Sequence, residues 1–172
     1  MLGVAGAVKS AKVLPSGFGD VSVGFIDTRD VGAVIAAVVA ASPSERADLV
    51  GRAVNLSGPD QLTPAQTAAS ISTALDTKIT AVEASDDDMR RGLAAAYGEG
   101  DVADAIVLAT KLVREGAISG EVSTDPALLG MATFPRLRSL GDFALAHASA
   151  FKEADAAFME GGASTAAAEG LS

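Results

Sequence analysis

The segment Ile26-Asp27-Thr28-Arg29-Asp30-Val31-Gly32 sets two carboxylates around an arginine where an apolar strand pattern gives way to a helical one. Two carboxylates whose environments split their pKa values work as general acid and base. The same residues equally cap a helix and pair with an arginine, and the sequence alone leaves both readings open. Asp86-Asp87-Asp88 offers oxygens to a hard cation. Consecutive helical residues point apart, however, and carboxylates suit the positive end of a helix, so this run reads as a helix start. The single histidine, His147, shares a helical face with Leu140, Phe143 and Phe151; it is either a core histidine bonded to a backbone carbonyl or a pocket residue. The single tyrosine, Tyr97, ends a helical pattern beside Gly98 and Gly100, where its hydroxyl can meet a ligand or water. Position 101, four residues on, is Asp, so no tyrosine–lysine proton-transfer pair forms. Gly3-Val4-Ala5-Gly6 lacks the preceding strand that a phosphate-cradling turn requires. Neither a GxSxG elbow nor a Walker loop occurs.

Composition narrows the chemistry further. The chain has 172 residues, 49% hydrophobic, with 22 acidic against 13 basic side chains and a net charge of −9. A mean hydropathy of +0.33 is enough to build one domain's core. The acidic balance repels phosphate backbones and anionic bilayers, which argues against nucleic acid and membrane surfaces as partners. Without cysteine there are no disulfides, thiolate zinc sites or thiol nucleophiles, and one histidine makes no imidazole cluster, so no metal site is expected. The longest apolar run, 31–41, falls well short of a membrane span, and no basic residue precedes the apolar start as a signal peptide would require. The expected location is the cytoplasm.

The elements that would position these residues follow from periodicity and caps. Residues 1–20 read as a frayed helix or arm followed by a loop punctuated by Pro15, Gly17 and Gly19. Val21, Val23 and Phe25 alternate as a strand over 21–27. Thr28 or Asp30 caps a helix whose Val34, Ile35, Val38 and Val39 fill the core, and whose Gly32, Ala36 and Ala40 form a smooth stripe for a close neighbour. Residues 51–59 read as a second strand. Thr63-Pro64-Ala65-Gln66 is a reciprocal capping sequence with proline at the first helical position, and Ala68, Ile71 and Leu75 continue one helical face. Residues 78–83 form a third strand. From Ser85 the pattern is helical: 86–97 closed by Gly98, then 101–115 with Val102, Ile106, Ala109 and Val113 inward and Gly116 as stop. Residues 118–135 read as loop with one helical turn, and Ser139 with Asp142 opens a last helix. This divides into an N-terminal arm (1–20), an α/β part (21–84), a helical lobe (85–153) and a disordered tail (154–172). Strand–helix alternation argues α/β, and three short strands make a sheet thin enough to be part of a larger one.

The residues 25–32, then Ala53-Val54-Asn55-Leu56-Ser57-Gly58-Pro59-Asp60-Gln61-Leu62-Thr63, the helix to Leu75 and the strand 79–83 resemble the C-terminal half of the NmrA-like family. These are atypical relatives of the short-chain dehydrogenase/reductases. Phe134-Pro135-Arg136-Leu137-Arg138-Ser139-Leu140-Gly141-Asp142-Phe143 and the stretch to Phe151 are similar to the family's last helix. Asp76 stands where the family commonly has glycine, and the family's GxxGxxG turn is absent from this sequence. The resemblance implies a partial Rossmann-like α/β fold with a C-terminal helical substrate lobe, and an NAD(P)(H) cofactor whose main binding motif lies elsewhere. It also implies a small-molecule substrate, with Phe18, Tyr97 and His147 as candidate pocket residues and no catalytic residue assigned. Such a half would be inactive alone, whether truncated or split, and would either associate with a separate Rossmann half or self-associate. The alternative is a non-catalytic NAD(P)-linked redox sensor or protein-interaction module.

Overall fold

A computed structural model describes residues 5–98, 100–120 and 123–152. The fold is α/β. Its sheet content is two separate two-stranded pairs, each bridging distant parts of the chain. Helix α1 (Ala5–Ala11) leads into strand β1 (Val13–Ser16), which lies parallel to β4 (Thr80–Glu83) with Leu14 opposite Ala81 and Pro15 opposite Val82. Strand β2 (Val23–Gly24) runs antiparallel to β3 (Gln61–Leu62), pairing Val23 with Leu62.

The opening segment therefore differs from a frayed arm. Val8 and Leu14 are buried in the main core. Pro15 had marked the segment as a loop, yet β1 pairs on one side only, and an edge strand accepts a residue that cannot donate to a ladder. The strand expected over 21–27 shrinks to two ladder residues, because beyond Gly24 the chain turns to the helix cap at Asp27. The strand expected over 51–59 is not one. Its residues lie against Thr124 and Asp125, whose side chain and backbone amide meet Ser57 and Asn55, and among the described residues no second strand lies beside it to form a ladder. The third expected strand is β4.

Helix α2 (Thr28–Ala40) starts at Asp27, whose carboxylate accepts from the Arg29 amide. Only part of its apolar surface is buried. Val34 packs with Ala41, Leu128 and Met131, and Val54 and Leu56 lie against this second core. Ile35 and Val39, expected inside, are 59% and 70% exposed, and the Gly32 stripe faces open space. The helix has one partner face, and a run of consecutive apolar residues cannot tell which face that is. Helix α3 (Pro43–Ala47) follows with its own capping box from Ser42 and Glu45.

Helix α4 (Pro64–Leu75) carries the capping box read from the sequence. Thr63 Oγ1 accepts from the Gln66 amide at 3.3 Å, and Gln66 Oε1 accepts from the Thr63 amide at 2.9 Å. Its Ala68, Ile71 and Leu75 join Val8, Leu14, Ile79, Leu140, Ala144 and Phe151 in the main core. The helix ends on Asp76 at φ 49°, the left-handed position that glycine fills at no steric cost.

Helices α5 (Asp86–Tyr97) and α6 (Asp101–Arg114) form a hairpin. The buried face of α6 is Ala103, Val107 and Thr110, one position on from the expected Val102 and Ile106, which are exposed. A short α7 (Pro126–Leu129) is the helical turn expected in the loop. Helix α8 (Leu140–Ala146) opens on the Ser139–Asp142 box, packs on α4, and breaks at His147 before α9 (Ala148–Lys152). The tail read over 154–172 lies outside the described residues. No helix among those described is long and apolar enough to cross a membrane.

Candidate functional site

An apolar cavity of about 460 Å³ is walled by the end of β1 with the loop after it, the β2 strand, the α5–α6 hairpin, the start of α4 at Pro64 and Thr67, and Ala7 of α1. The loop is set by Ser16, whose hydroxyl accepts from the Phe18 amide, and by Arg114, whose guanidinium donates to the Gly17 carbonyl at 2.8 Å and pairs with Asp86 at 2.9 Å. That pairing holds the Asp86 carboxyl below its ordinary range. Gly17 lies against the hairpin so closely that a Cβ there would fall 2.0 Å from Met89 Sδ. Phe18, Phe25, Met89, Leu93 and Ile106 give the wall its apolar character, with a soft thioether able to adapt to a ligand's outline.

Of the residues named from the sequence, Phe18 and Tyr97 are both brought to this cavity. Tyr97 stands 60% exposed. His147 is elsewhere. It caps α8 and lies against the Phe143 ring, the centroids 4.5 Å apart, and it is not among the cavity's lining residues. The lining residues that sequence reasoning missed are Phe25, Met89 and Leu93. Met89 and Leu93 share one helical face with Tyr97, a spacing that was visible but reads equally as core packing.

The titratable lining groups are Asp88 and Tyr97. Asp88 is committed to the start of α5: its carboxylate accepts from the Ser85 hydroxyl at 2.6 Å and pairs with Arg91, and its carboxyl is held below the ordinary range, chiefly by that serine bond. The cavity is thus equipped to bind and orient an apolar molecule with a single phenol at hand, and carries no acid–base pair.

The carboxylates of 27–30 have a different role. Asp27 binds Arg29 through both oxygens, at 3.0 Å to Nε, and this pair holds its carboxyl down at about 2. Asp30, 1% exposed, accepts from the Arg138 amide at 2.6 Å and pairs with the Arg138 guanidinium. Asp27 caps α2 and pairs with its own Arg29, while Asp30 fastens the start of α2 to the segment before α8. Among the described residues no group of three metal-ligating side chains converges.

Among the described residues, three helix starts are already occupied by carboxylates or capping side chains. The first turns of α2 and α5 hold Asp30 and Asp86, Asp87 and Asp88, and that of α4 is closed by Thr63 and Gln66. Carboxylates at these positive ends repel a phosphate.

The chain's α/β fold is one shared with solved reductases. No protein-family model matches the chain. It is 32% identical over 147 residues to (4-alkanoyl-5-oxo-2,5-dihydrofuran-3-yl)methyl phosphate reductase of Streptomyces griseus, covering 86% of this chain and 49% of that enzyme. Its fold is shared with an NADPH-dependent quinone oxidoreductase from Escherichia coli at TM-score 0.63 and 20% identity, over 83% of this chain and 49% of the other. Triphenylmethane reductase from Citrobacter gives 0.64 and 15% identity over 88% and 48%, and that reductase is also known in complex with NADP(H). The chain spans about half the length of each of these relatives.

Proposed function

We propose that this chain is the substrate-side half of an NAD(P)-dependent reductase, in which the cavity between the 16–18 loop and the α5–α6 hairpin holds a small conjugated acceptor. The observation that carries the reading is the cavity itself, with Phe18 and Tyr97 on its wall. Its size suits a small organic molecule, and its lining is mostly apolar with few polar groups, as ligand sites are. Hydride transfer asks the protein chiefly to bind and orient, since the nicotinamide supplies the chemistry. A cavity without an acid–base pair is compatible with that division of labour. The reductase relatives, one acting on a furanone phosphate and one on quinones by their names, support the substrate class.

In this reading the nucleotide is held by a separate Rossmann half, because the helix starts described above repel pyrophosphate, and the protein works in the cytoplasm. The chain alone is inactive. Calorimetric titration of the full chain with menadione and, separately, with NADPH tests it. The expected result is saturable menadione binding and no saturable NADPH binding. Tight NADPH binding by the chain alone, or no menadione binding, overturns the reading; binding of both ligands without turnover would favour the redox-sensor alternative.

A further inference from the structure

A second pocket, of about 290 Å³, shares no lining residue with the cavity: it is formed by Arg29, Arg136, Leu137, Arg138, Asp142 and Ala146. Three guanidinium groups facing one small pocket is an unusual use of charge in a chain whose net charge is −9. We propose that this pocket binds a phosphate monoester.

Two of the arginines are fixed in place by buried carboxylates. Arg29 is held through Nε and Nη2 by Asp27, and Arg138 through Nη1 by Asp30. Each guanidinium has five N–H donors, so both keep donors beyond those committed to the carboxylates. Their side chains are 45% and 43% exposed, which leaves the free side of each fork accessible. Arg136, the third, makes no hydrogen bond or ion pair among the described residues. The one other carboxylate in the pocket, Asp142, accepts from the Ser139 amide and hydroxyl, both at 2.9 Å, and so is engaged by its own helix cap.

Planar forks held rigidly by second carboxylates are what bidentate phosphate recognition requires, because little side-chain freedom is lost on binding. A fold clasp accounts for Arg29 and Arg138; it does not account for Arg136. The pocket shares Arg136, Leu137 and Asp142 with a larger neighbouring groove of mixed character, lined also by Ser57, Asp60, Thr124, Leu129 and Phe134, which has room for the rest of an ester. Resting on the function proposed above, in which the nucleotide lies on a separate half, the phosphate is that of a phosphorylated substrate.

The test follows the arginine Nε–Hε signals of the full chain by NMR during titration with inorganic phosphate, ionic strength being held constant with chloride. The expected result is saturating shifts, weakened about tenfold in Arg136→Ala, the loss of one charge-assisted contact, with an unchanged melting temperature. Propyl phosphate and adenosine 2′-phosphate run in parallel; propyl phosphate is expected to bind more tightly, and tighter binding of adenosine 2′-phosphate overturns the assignment to a phosphorylated substrate. Shifts that chloride alone reproduces, or an Arg136→Ala variant that binds phosphate as the parent does, overturn the proposal. Because this probe touches neither the apolar cavity nor any reduction, its failure leaves the menadione result standing, and the reverse holds equally.

Discussion

The clasp at the start of α2 and the wall of the α5–α6 hairpin both use aspartate and arginine, and they use them for opposite ends. At the clasp, Asp30 reaches Arg138 across 108 positions of sequence and is 1% exposed. Asp60 does the same for the Leu140 amide across 80 positions, at 2.8 Å. On the hairpin, Asp87–Arg90 and Asp88–Arg91 are neighbours one helical turn apart in open solvent. Exposed pairs of this kind contribute little to stability, whereas a buried carboxylate stripped of its partner is costly. The clasp therefore defines which parts of the chain meet, and the hairpin is left to offer an adaptable surface to a ligand.

Two glycines make the same contrast. A Cβ at Gly58 would lie 1.8 Å from the Phe25 carbonyl oxygen, a backbone atom that cannot move without the fold. A Cβ at Gly17 would meet the end of the Met89 side chain, which can swing into the cavity.

The contrast can be broken most severely at Asp30. Asp30→Ala leaves the Arg138 amide and guanidinium without their acceptor and should cost about 3 kcal/mol, seen as a lower urea midpoint. If it costs no more than Asp87→Ala, expected within about 0.5 kcal/mol, the clasp is not what holds the two regions together. Gly58→Ala comes next, with an overpacking cost of about 2 to 3 kcal/mol.

Thr63→Ala should cost about 1 kcal/mol and Gln66→Ala less, both as loss of folding stability with cavity binding retained. Lost binding at unchanged stability would instead put the Thr63 hydroxyl in a ligand site.

The pH dependence sharpens the same comparison. Asp27 titrates at about 2 when folded against an ordinary 3.8, mainly because it binds Arg29. A carboxyl lowered on folding stabilises above its unfolded pKa, so this contribution is complete above pH 3.8 and is lost as pH falls through about 2. Asp27→Asn should flatten the acid limb of the stability profile over that window. The smallest effect is expected at Asp76, where glycine relieves the left-handed backbone: Asp76→Gly should raise stability by about 0.5 kcal/mol.

Legibility in the sequence divided along similar lines. Caps were readable because they are local: Thr63 with Gln66, Ser139 with Asp142, and Ser85 with Asp88 are each three residues apart and each is formed. Strands were not, because a ladder is a property of two segments. Residues 51–59 have the composition of a strand and lack a strand partner, while Val13–Ser16 has a proline and gains one in β4. Helix facing failed for the same reason at α2, where consecutive Val34 and Ile35 look alike until the position of Leu128 and Met131 is known. Tyr97 stood out beside glycines and Phe18 came only with the family resemblance, and both line the cavity; His147 stood out by its chemistry alone and joins Phe143 instead.

The central claim is that the cavity beside Gly17 receives the substrate's acceptor group, while the aspartates of the clasp, Asp27 and Asp30, serve the fold. Calorimetric titration of menadione into the parent chain and Gly17→Ala, with melting curves for both, addresses it most directly. The added methyl displaces Met89 into the cavity, so the account predicts menadione affinity reduced about tenfold, the order of a lost apolar contact surface, with a melting temperature close to the parent's. Unchanged affinity in a variant that still folds would contradict it.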